Sequence, residues 1–340
     1  MEESDVTDQA DFALTMHRVA VPDPSSNACW SPFSVASALA LAREAARGET
    51  RTELDALLKD FDAADALDVP ELAVANTLWA DDDLTLNPDF SLTSSVRRTA
   101  FSDPATVRKL VNTDVAETTR GLIPELLASP PPPDAAAIIV NALYLKVGWL
   151  NPFAAWETAE KPFHAPSGDV DVPTMKVIEK FRYARHEGWQ TIVLPAASGV
   201  ETVVLLPDES LEQPLDPSVL EATGRVNLEL SLPKVDVREK FQLKGVLERL
   251  GVRRMFARDA DFGGLSPDER LFVDDVIHEA VLRLDEEGLE GAAATAVTFR
   301  TVSLEIPTEP IVVTVDRPFL LAVRHARSGA IYFLAQVARP

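Results

Sequence analysis

Five histidines (His17, His164, His186, His278 and His325) and one cysteine, Cys29, are the side chains best suited to shuttle a proton, hold a metal or attack a carbonyl. Their spacing serves none of these. His186-Glu187 and His278-Glu279 each open the His-Glu-x-x-His pattern that sets two imidazoles on one helix face for zinc, and each lacks the second histidine. Gly-x-Ser-x-Gly, Gly-x-Gly-x-x-Gly and the phosphate-cradling Gly-x-x-x-x-Gly-Lys-[Ser/Thr] are all missing. Cys29 alone forms neither an intramolecular disulfide nor a thiolate cluster. A Ser-His-Asp triad gathered from distant parts of the chain stays formally open, because triads are defined by geometry and not by order. The acidic runs Asp81-Asp82-Asp83 and Asp285-Glu286-Glu287 read as solvated faces. No catalytic residue, metal ligand or cofactor is assigned.

The segment whose spacing is informative is 285–313, DEEGLEGAAATAVTFRTVSLEIPTEPIVV. It has no helix cap and no tight turn, and loops this long within a domain are usually functional. From Leu289 every second residue is uncharged: Leu289, Gly291, Ala293, Thr295, Val297 and Phe299. Both charges of that window, Glu290 and Arg300, fall on the alternate positions with Ala292, Ala294, Ala296 and Thr298. Such parity suits a segment able to become a strand with one buried face. Chance in an alanine-rich run, or a helix formed in place, is the alternative.

The elements that must position this segment are two long strand patterns, Ala135 to Lys146 and Phe272 to Leu284, against a usual length of about five or six residues. In the second, Val276, His278, Ala280, Leu282 and Leu284 share one face, and Glu279, Arg283 and Asp285 the other, so one side is expected in the core and the other wet. Asn141 and His278 interrupt apolar faces; they are either core groups with satisfied hydrogen bonds or a polar gate between strands. Shorter strand patterns occur at 72–80, 191–194, 201–206, 226–232, 311–315 and 330–337. Ser31-Pro32 starts a helix that Gly48 can stop; Thr50 and Glu53 read as a capping box before the stripe Leu54, Leu57, Leu58 and Phe61. Leu243, Val246, Leu247 and Leu250 form another stripe, closed by Gly251. Helices early and strands late make an α+β chain.

Composition narrows the partners. The 340 residues carry 32 Lys and Arg against 54 Asp and Glu, a net charge of −22, which repels phosphate backbones and excludes nucleic acid. No apolar stretch is long enough to span a membrane, and the acidic start MEESDVTDQADFALTMHRVA is unlike an export signal; a cytoplasmic or a mature extracellular chain is expected. The proline run 130–133 is the one strong punctuation and marks no domain boundary, so residues 1–340 read as a single domain.

Against this background the chain resembles the serpins, the serine protease inhibitor family. The resemblance is carried in family order by NACWSPFSVASALAL (27–41), ANTLWADDDLTL (75–86), VNTDVAETTRGLI (111–123), IVNALYLKVGW with NPF, Thr158 and Phe163 (139–163), LSLPKVDVREKFQLKGVLERLGV (230–252), VIHEAVLRLDEEG (276–288) and RPFLLAVRHARSGAIYFLAQVARP (317–340). It implies three β-sheets, about eight helices and an exposed reactive-centre loop at about 286–310. It further implies that the two long strands are central neighbours and that the loop enters between them. Ser31, Ser34, Asn141 and His278 match the family's gate below the insertion site. Glu286, Glu287 and Gly288 match the start of the hinge, which continues through Leu289, Glu290, Gly291, Ala292, Ala293 and Ala294. Counting forward from Gly288 puts the scissile bond at Val302-Ser303; counting back from Pro318-Phe319 gives a site near Pro307.

Three departures stand out. Leu289 sits where a small residue is usual and is expected to slow insertion; Gly291 replaces the usual alanine; and residues 61 to 74 are too few for the basic heparin-binding helix. The implied function is a monomeric suicide inhibitor of an elastase-like, subtilisin-like or chymotrypsin-like serine protease, without heparin, and the Arg-over-Lys usage suits a prokaryotic source. The alternative is a non-inhibitory binding or chaperone protein of the same fold.

Overall fold

The computed structural model describes residues 3–61, 69–90, 95–132, 135–267, 271–289 and 309–340. Its α-helices are α1 (Glu3–Ala20), α2 (Pro32–Ala45), α3 (Gly48–Leu58), α4 (Pro104–Thr118) and α5 (Lys244–Arg249). The strands are β1 (Ala28–Trp30), β2 (Leu72–Asp81), β3 (Val96–Thr99), β4 (Ala137–Leu145), β5 (Val147–Gly148), β6 (Ala159–Ala165), β7 (Gly168–His186), β8 (Trp189–Pro195), β9 (Val200–Pro207), β10 (Arg225–Pro233), β11 (Val235–Gln242), β12 (Ile277–Leu284), β13 (Gly288–Leu289), β14 (Ile311–Thr314), β15 (Phe319–His325) and β16 (Ile331–Val337). Where about eight helices are expected, the described residues hold five α-helices, the remainder being short 3-10 turns.

Local chemistry explains several boundaries. The Ser34 N–H donates to Ser31 Oγ (3.1 Å) and Pro32 fills the first turn, so α2 begins as the residue types require. It ends at Ala45, and Gly48 opens α3 instead of closing α2. The expected capping box does not form: α3 has no side-chain cap, because Thr50 Oγ1 accepts from the Asp261 N–H and Glu53 Oε2 from the N–H groups of Arg253 and Arg254. Asp103 caps α4 by accepting from the Thr106 N–H, with Pro104 behind it.

The strands make a nine-stranded sheet in the order β1-β16-β15-β9-β8-β7-β10-β14, with β6 paired to β7. A four-stranded piece runs β11-β12-β13-β5 and a three-stranded piece β3-β2-β4. Since β5 follows β4 after the single residue Lys146, these two pieces are halves of one split sheet. One core cluster packs α1, α2, α3 and α5 against the nine-stranded sheet; a second fills the space between that sheet and the split one. A third lies under α4, where Val107, Val111 and Val115 meet Ala75, Trp79, Val140, Ala142 and Val281.

Both long strand patterns are shortened. Ala135 and Ala136 lie outside β4, and Phe272 to Val276 lie outside β12. The face of β12 expected to be wet is covered in part: Arg283 is exposed as expected, but Glu279 and Val281 are buried, Val281 against the α4 cluster and Glu279 beside Arg238 Nε (2.7 Å). The sheet is therefore sandwiched at this point, with core on one side and α4 on the other.

Candidate functional site

The site is the seam between β12 and the β4–β5 edge. At its closed end the chain turns through Asp285 to Gly288, held because Asp285 Oδ1 accepts from the N–H groups of Glu287 (2.9 Å) and Gly288 (3.2 Å). The Asp285 N–H donates to Gly288 O (3.0 Å), completing the reversal. β13 then enters the seam antiparallel to both neighbours, Leu289 opposite Leu284 on one side and Val147 on the other, Gly288 opposite Gly148. Gly288 has φ +154°, and a Cβ there would lie 2.3 Å from Val147 O, so the close approach of the two backbones requires glycine. Leu289 is buried in the core cluster with Val147, Leu282 and Leu284. Leu289, expected to slow insertion, is seated in the sheet at this point.

Contacts from the far side pin this turn. The Trp149 indole N–H donates to Asp285 O (2.9 Å), and the backbone N–H groups of Trp149 and Phe153 donate to Glu287 O and Glu286 O (3.0 Å each). The Glu286 carboxylate accepts from Thr158 Oγ1 (2.7 Å) and pairs with Lys234 Nζ (2.7 Å). Burial raises the Glu286 carboxyl, but the hydrogen bonds from Lys234 and Thr158 outweigh it and hold the group below its ordinary value.

Below β13 no ladder joins β12 to β4, although the two strands come within 8 Å at Cα. The four gate residues are all buried here. The Ser31 N–H donates to His278 Nε2 (2.9 Å), which makes Nε2 the acceptor and leaves the ring proton on Nδ1. That Nδ1 is buried without a partner, as are Ser34 Oγ and both side-chain atoms of Asn141. Burial lowers the His278 imidazole from 6.5 to about 4, so it is neutral at ordinary pH. Hence the structure joins Ser31 to Ser34 and to His278 by hydrogen bonds, while Asn141 makes none to the other three. Asn141 lies opposite Asn76 in the β2–β4 register, and Asn76 Nδ2 donates to Ser37 O (3.1 Å), so α2, β2 and β4 converge at the gate. Lower still, a cavity of about 760 Å³ opens among Ile139, Phe256, Phe262, Leu265, Leu271 and Phe272.

Glu286, Glu287, Gly288 and Leu289 are placed as described; Glu290, Gly291, Ala292, Ala293, Ala294, Val302 and Ser303 lie outside the described residues. Residues not singled out from sequence as hinge partners are Trp149, Phe153, Thr158 and Lys234. Each is more than 50 positions from the turn, and its type alone carries no signal of what it touches.

The geometry can be set beside known proteins. The family model "Serpin (serine protease inhibitor)" matches residues 7–340. Serpin A3-7 of Bos taurus is 32% identical, over 97% of this chain and 87% of that protein. The thermophilic serpin tengpin in its native state superposes with a TM-score of 0.86 at 24% identity, covering 100% of this chain and 95% of that one. Thyroxine-binding globulin in complex with thyroxine superposes with a TM-score of 0.85 at 24% identity, over 99% of each chain. At that identity these two structures speak to the fold alone.

Proposed function

The chain belongs to the serpin family, a family of protease-inhibitor-type proteins, and on that premise we propose that it traps a serine protease by threading its cleaved loop down the open seam. The observation that carries this reading is β13. Two residues of the loop's hinge are in register with both edges of a seam that has no ladder below them.

Continuing that register down the two strands gives each loop residue a pair of neighbours. Gly291 falls between Leu282 and Leu145, Ala293 between Ala280 and Leu143, and Thr295 between His278 and Asn141. Leu145, Leu143, Leu282 and Ala280 all belong to the inner core cluster, as Leu289 does, so the uncharged alternate residues share the buried face. Thr295 would bring a hydroxyl, both donor and acceptor, to the unpartnered atoms of His278 and Asn141. On this register Val297 and Phe299 would reach the cavity below the gate. On the opposite face Glu290 would fall between Arg283 and Lys146, and the alanines at 292, 294 and 296 would fall on the α4 side, with Val281 and Ala142 among their neighbours.

In the reaction, the protease serine attacks the carbonyl of Val302, the bond to Ser303 breaks, and Ser303 leaves as a new amino terminus, so the enzyme is held as an ester on Val302. Insertion of the freed arm then carries the acyl-enzyme away before water reaches the ester. Each inserted residue gains ladder hydrogen bonds of roughly 0.5–1.5 kcal/mol net, against about 1–2 kcal/mol for ordering its backbone. Burial of Val297 and Phe299 adds roughly 1.5–3 kcal/mol each. Satisfying the orphaned gate atoms adds to that, and it puts the gain where the uncut chain leaves polar groups unpaired. A valine before the scissile bond suits elastase-like or subtilisin-like pockets; a shift of register towards Phe299 or Leu304 suits chymotrypsin-like ones. The non-inhibitory alternative draws its support from Leu289; what speaks for the inhibitory reading is that this leucine packs between Leu284 and Val147.

The test is to incubate the protein with pancreatic elastase, subtilisin and chymotrypsin in turn. A denaturant-resistant covalent adduct and a released peptide of residues 303–340 are expected with at least one. Complete cleavage of the loop by all three with no adduct would overturn the inhibitory reading in favour of a binding protein.

A further inference from the structure

Helix α4 buries Val107, Val111, Asp114 and Val115, which is one continuous stripe at i, i+4, i+7 and i+8. Three members are apolar and the fourth is an acid. The stripe rests on Trp79 of β2, on Val140 and Ala142 of β4 and on Val281 of β12, so α4 straps the two halves of the split sheet together across the seam. Asp114 is 7% exposed; one carboxylate oxygen is 2.6 Å from the guanidinium of Arg97 on β3, and the other is buried away from that guanidinium, with the Thr77 hydroxyl as the carboxylate's remaining polar neighbour. The Trp79 indole N–H is buried and unpartnered, and Arg97 lies over the Trp79 ring at 5.5 Å. Burial raises the Asp114 carboxyl, with Arg97 and Thr77 opposing that and Glu117 adding to it.

An apolar residue at position 114 would glue α4 to Trp79 and Thr77. A carboxylate instead costs desolvation that Arg97, itself half-exposed, returns only in part. Lifting the helix gives the carboxylate back to water, so this acid lowers the adhesion of α4 where an ordinary stripe would maximise it.

We infer that the Asp114–Arg97 pair is a release latch: it keeps α4 docked on the intact sheet yet weakly enough for the helix to yield when the loop passes beneath it. The inference rests on the insertion reading above, in which Ala292, Ala294 and Ala296 travel on the α4 side of the sheet. Asp114 and Arg97 are positioning residues and touch no reacting atom.

The test uses Asp114→Leu, the shape-conserving Asp114→Asn, and Arg97→Ala, with two readouts on each: moles of inhibitor consumed per protease trapped, and hydrogen exchange of the α4 amides. Asp114→Leu is expected to slow α4 exchange several-fold and to raise the stoichiometry, because slower insertion lets more acyl-enzyme hydrolyse. Asp114→Asn moves both in the same direction by less. Arg97→Ala leaves the acid unpaired, so exchange quickens and the stoichiometry stays at or below that of the parent. A purely structural pair would change thermal stability and leave the stoichiometry alone, and that result would overturn the inference. So would a fall in stoichiometry for Asp114→Leu, or equal exchange in all four proteins. If the parent traps no protease, the inhibitory reading fails by itself and the exchange rates still decide the latch.

Discussion

The two ends of the seam are built from the same pair of strands and differ in how completely their polar groups are paired. At the closed end, β13 completes ladders with β12 and β5, and the turn above it is tied down by Trp149, Phe153, Thr158 and Lys234. At the open end, β12 and β4 face each other without a ladder, four buried atoms of the gate lack partners, and a cavity opens beneath them. Native structures rarely leave so many buried groups unpaired in one place, since each costs about 1–3 kcal/mol. The contrast teaches that, among the described residues, the seam is paired where β13 lies and unpaired where β12 faces β4. On the proposed mechanism, the free energy available from insertion lies at the gate and below it.

The comparison can be broken most severely at its boundary. Leu289→Arg puts a charge where a buried leucine now packs, at a cost of several kcal/mol for the unpaired ion. The variant is expected to be cleaved as a plain substrate, and a denaturant-resistant adduct with any protease would contradict the register. Gly288→Val forces a Cβ against Val147 O and in addition strains a φ that side chains rarely adopt. It is expected to expel β13 and to lower stability by about 1–3 kcal/mol in urea titration, with faster hydrogen exchange at Leu284 and Val147.

A milder perturbation acts through pH. His17, whose Nδ1 accepts from the Trp30 indole N–H (3.1 Å), and His278 are both lowered from 6.5 to about 4, chiefly by burial. In the window from about 6.5 down to 4 the unfolded chain binds protons that the folded one refuses, so their contribution is complete above that window and declines as pH falls through it. Each histidine accounts for a loss on the order of 3 kcal/mol by pH 4. His278→Gln is therefore expected to lose less stability than the parent between pH 7 and pH 4.5, and parallel curves would contradict it. The smallest effect sharpens the open end. Asn141→Leu removes two unpaired polar atoms and is expected to stabilise the intact protein by about 1 kcal/mol while consuming more inhibitor per protease trapped.

Much of this was legible in the residues. The Ser31-Pro32 start of α2, the apolar face of β12 and the seating of Leu289 on the even-odd pattern all follow from local chemistry that the fold obeys. What stayed hidden has identifiable causes. A strand of two residues such as β13 has no period to detect. The α4 stripe is broken in sequence by Asp114, so its apolar face does not announce itself. Thr50 and Glu53 have the capping-box spacing but spend their oxygens on backbone more than 190 positions away. The run from Phe272 to Val276 has a strand's composition without a strand's neighbour, and composition cannot supply one.

The central claim is that the open end of the seam receives the loop once it is cut. Thermal unfolding of the intact chain and of the same chain nicked between Val302 and Ser303 tests it directly. The account predicts that the nicked protein melts well above the intact one and that its severed arm is protected from further proteolysis. A nicked protein that melts at or below the intact temperature, with the arm still digestible, would contradict it.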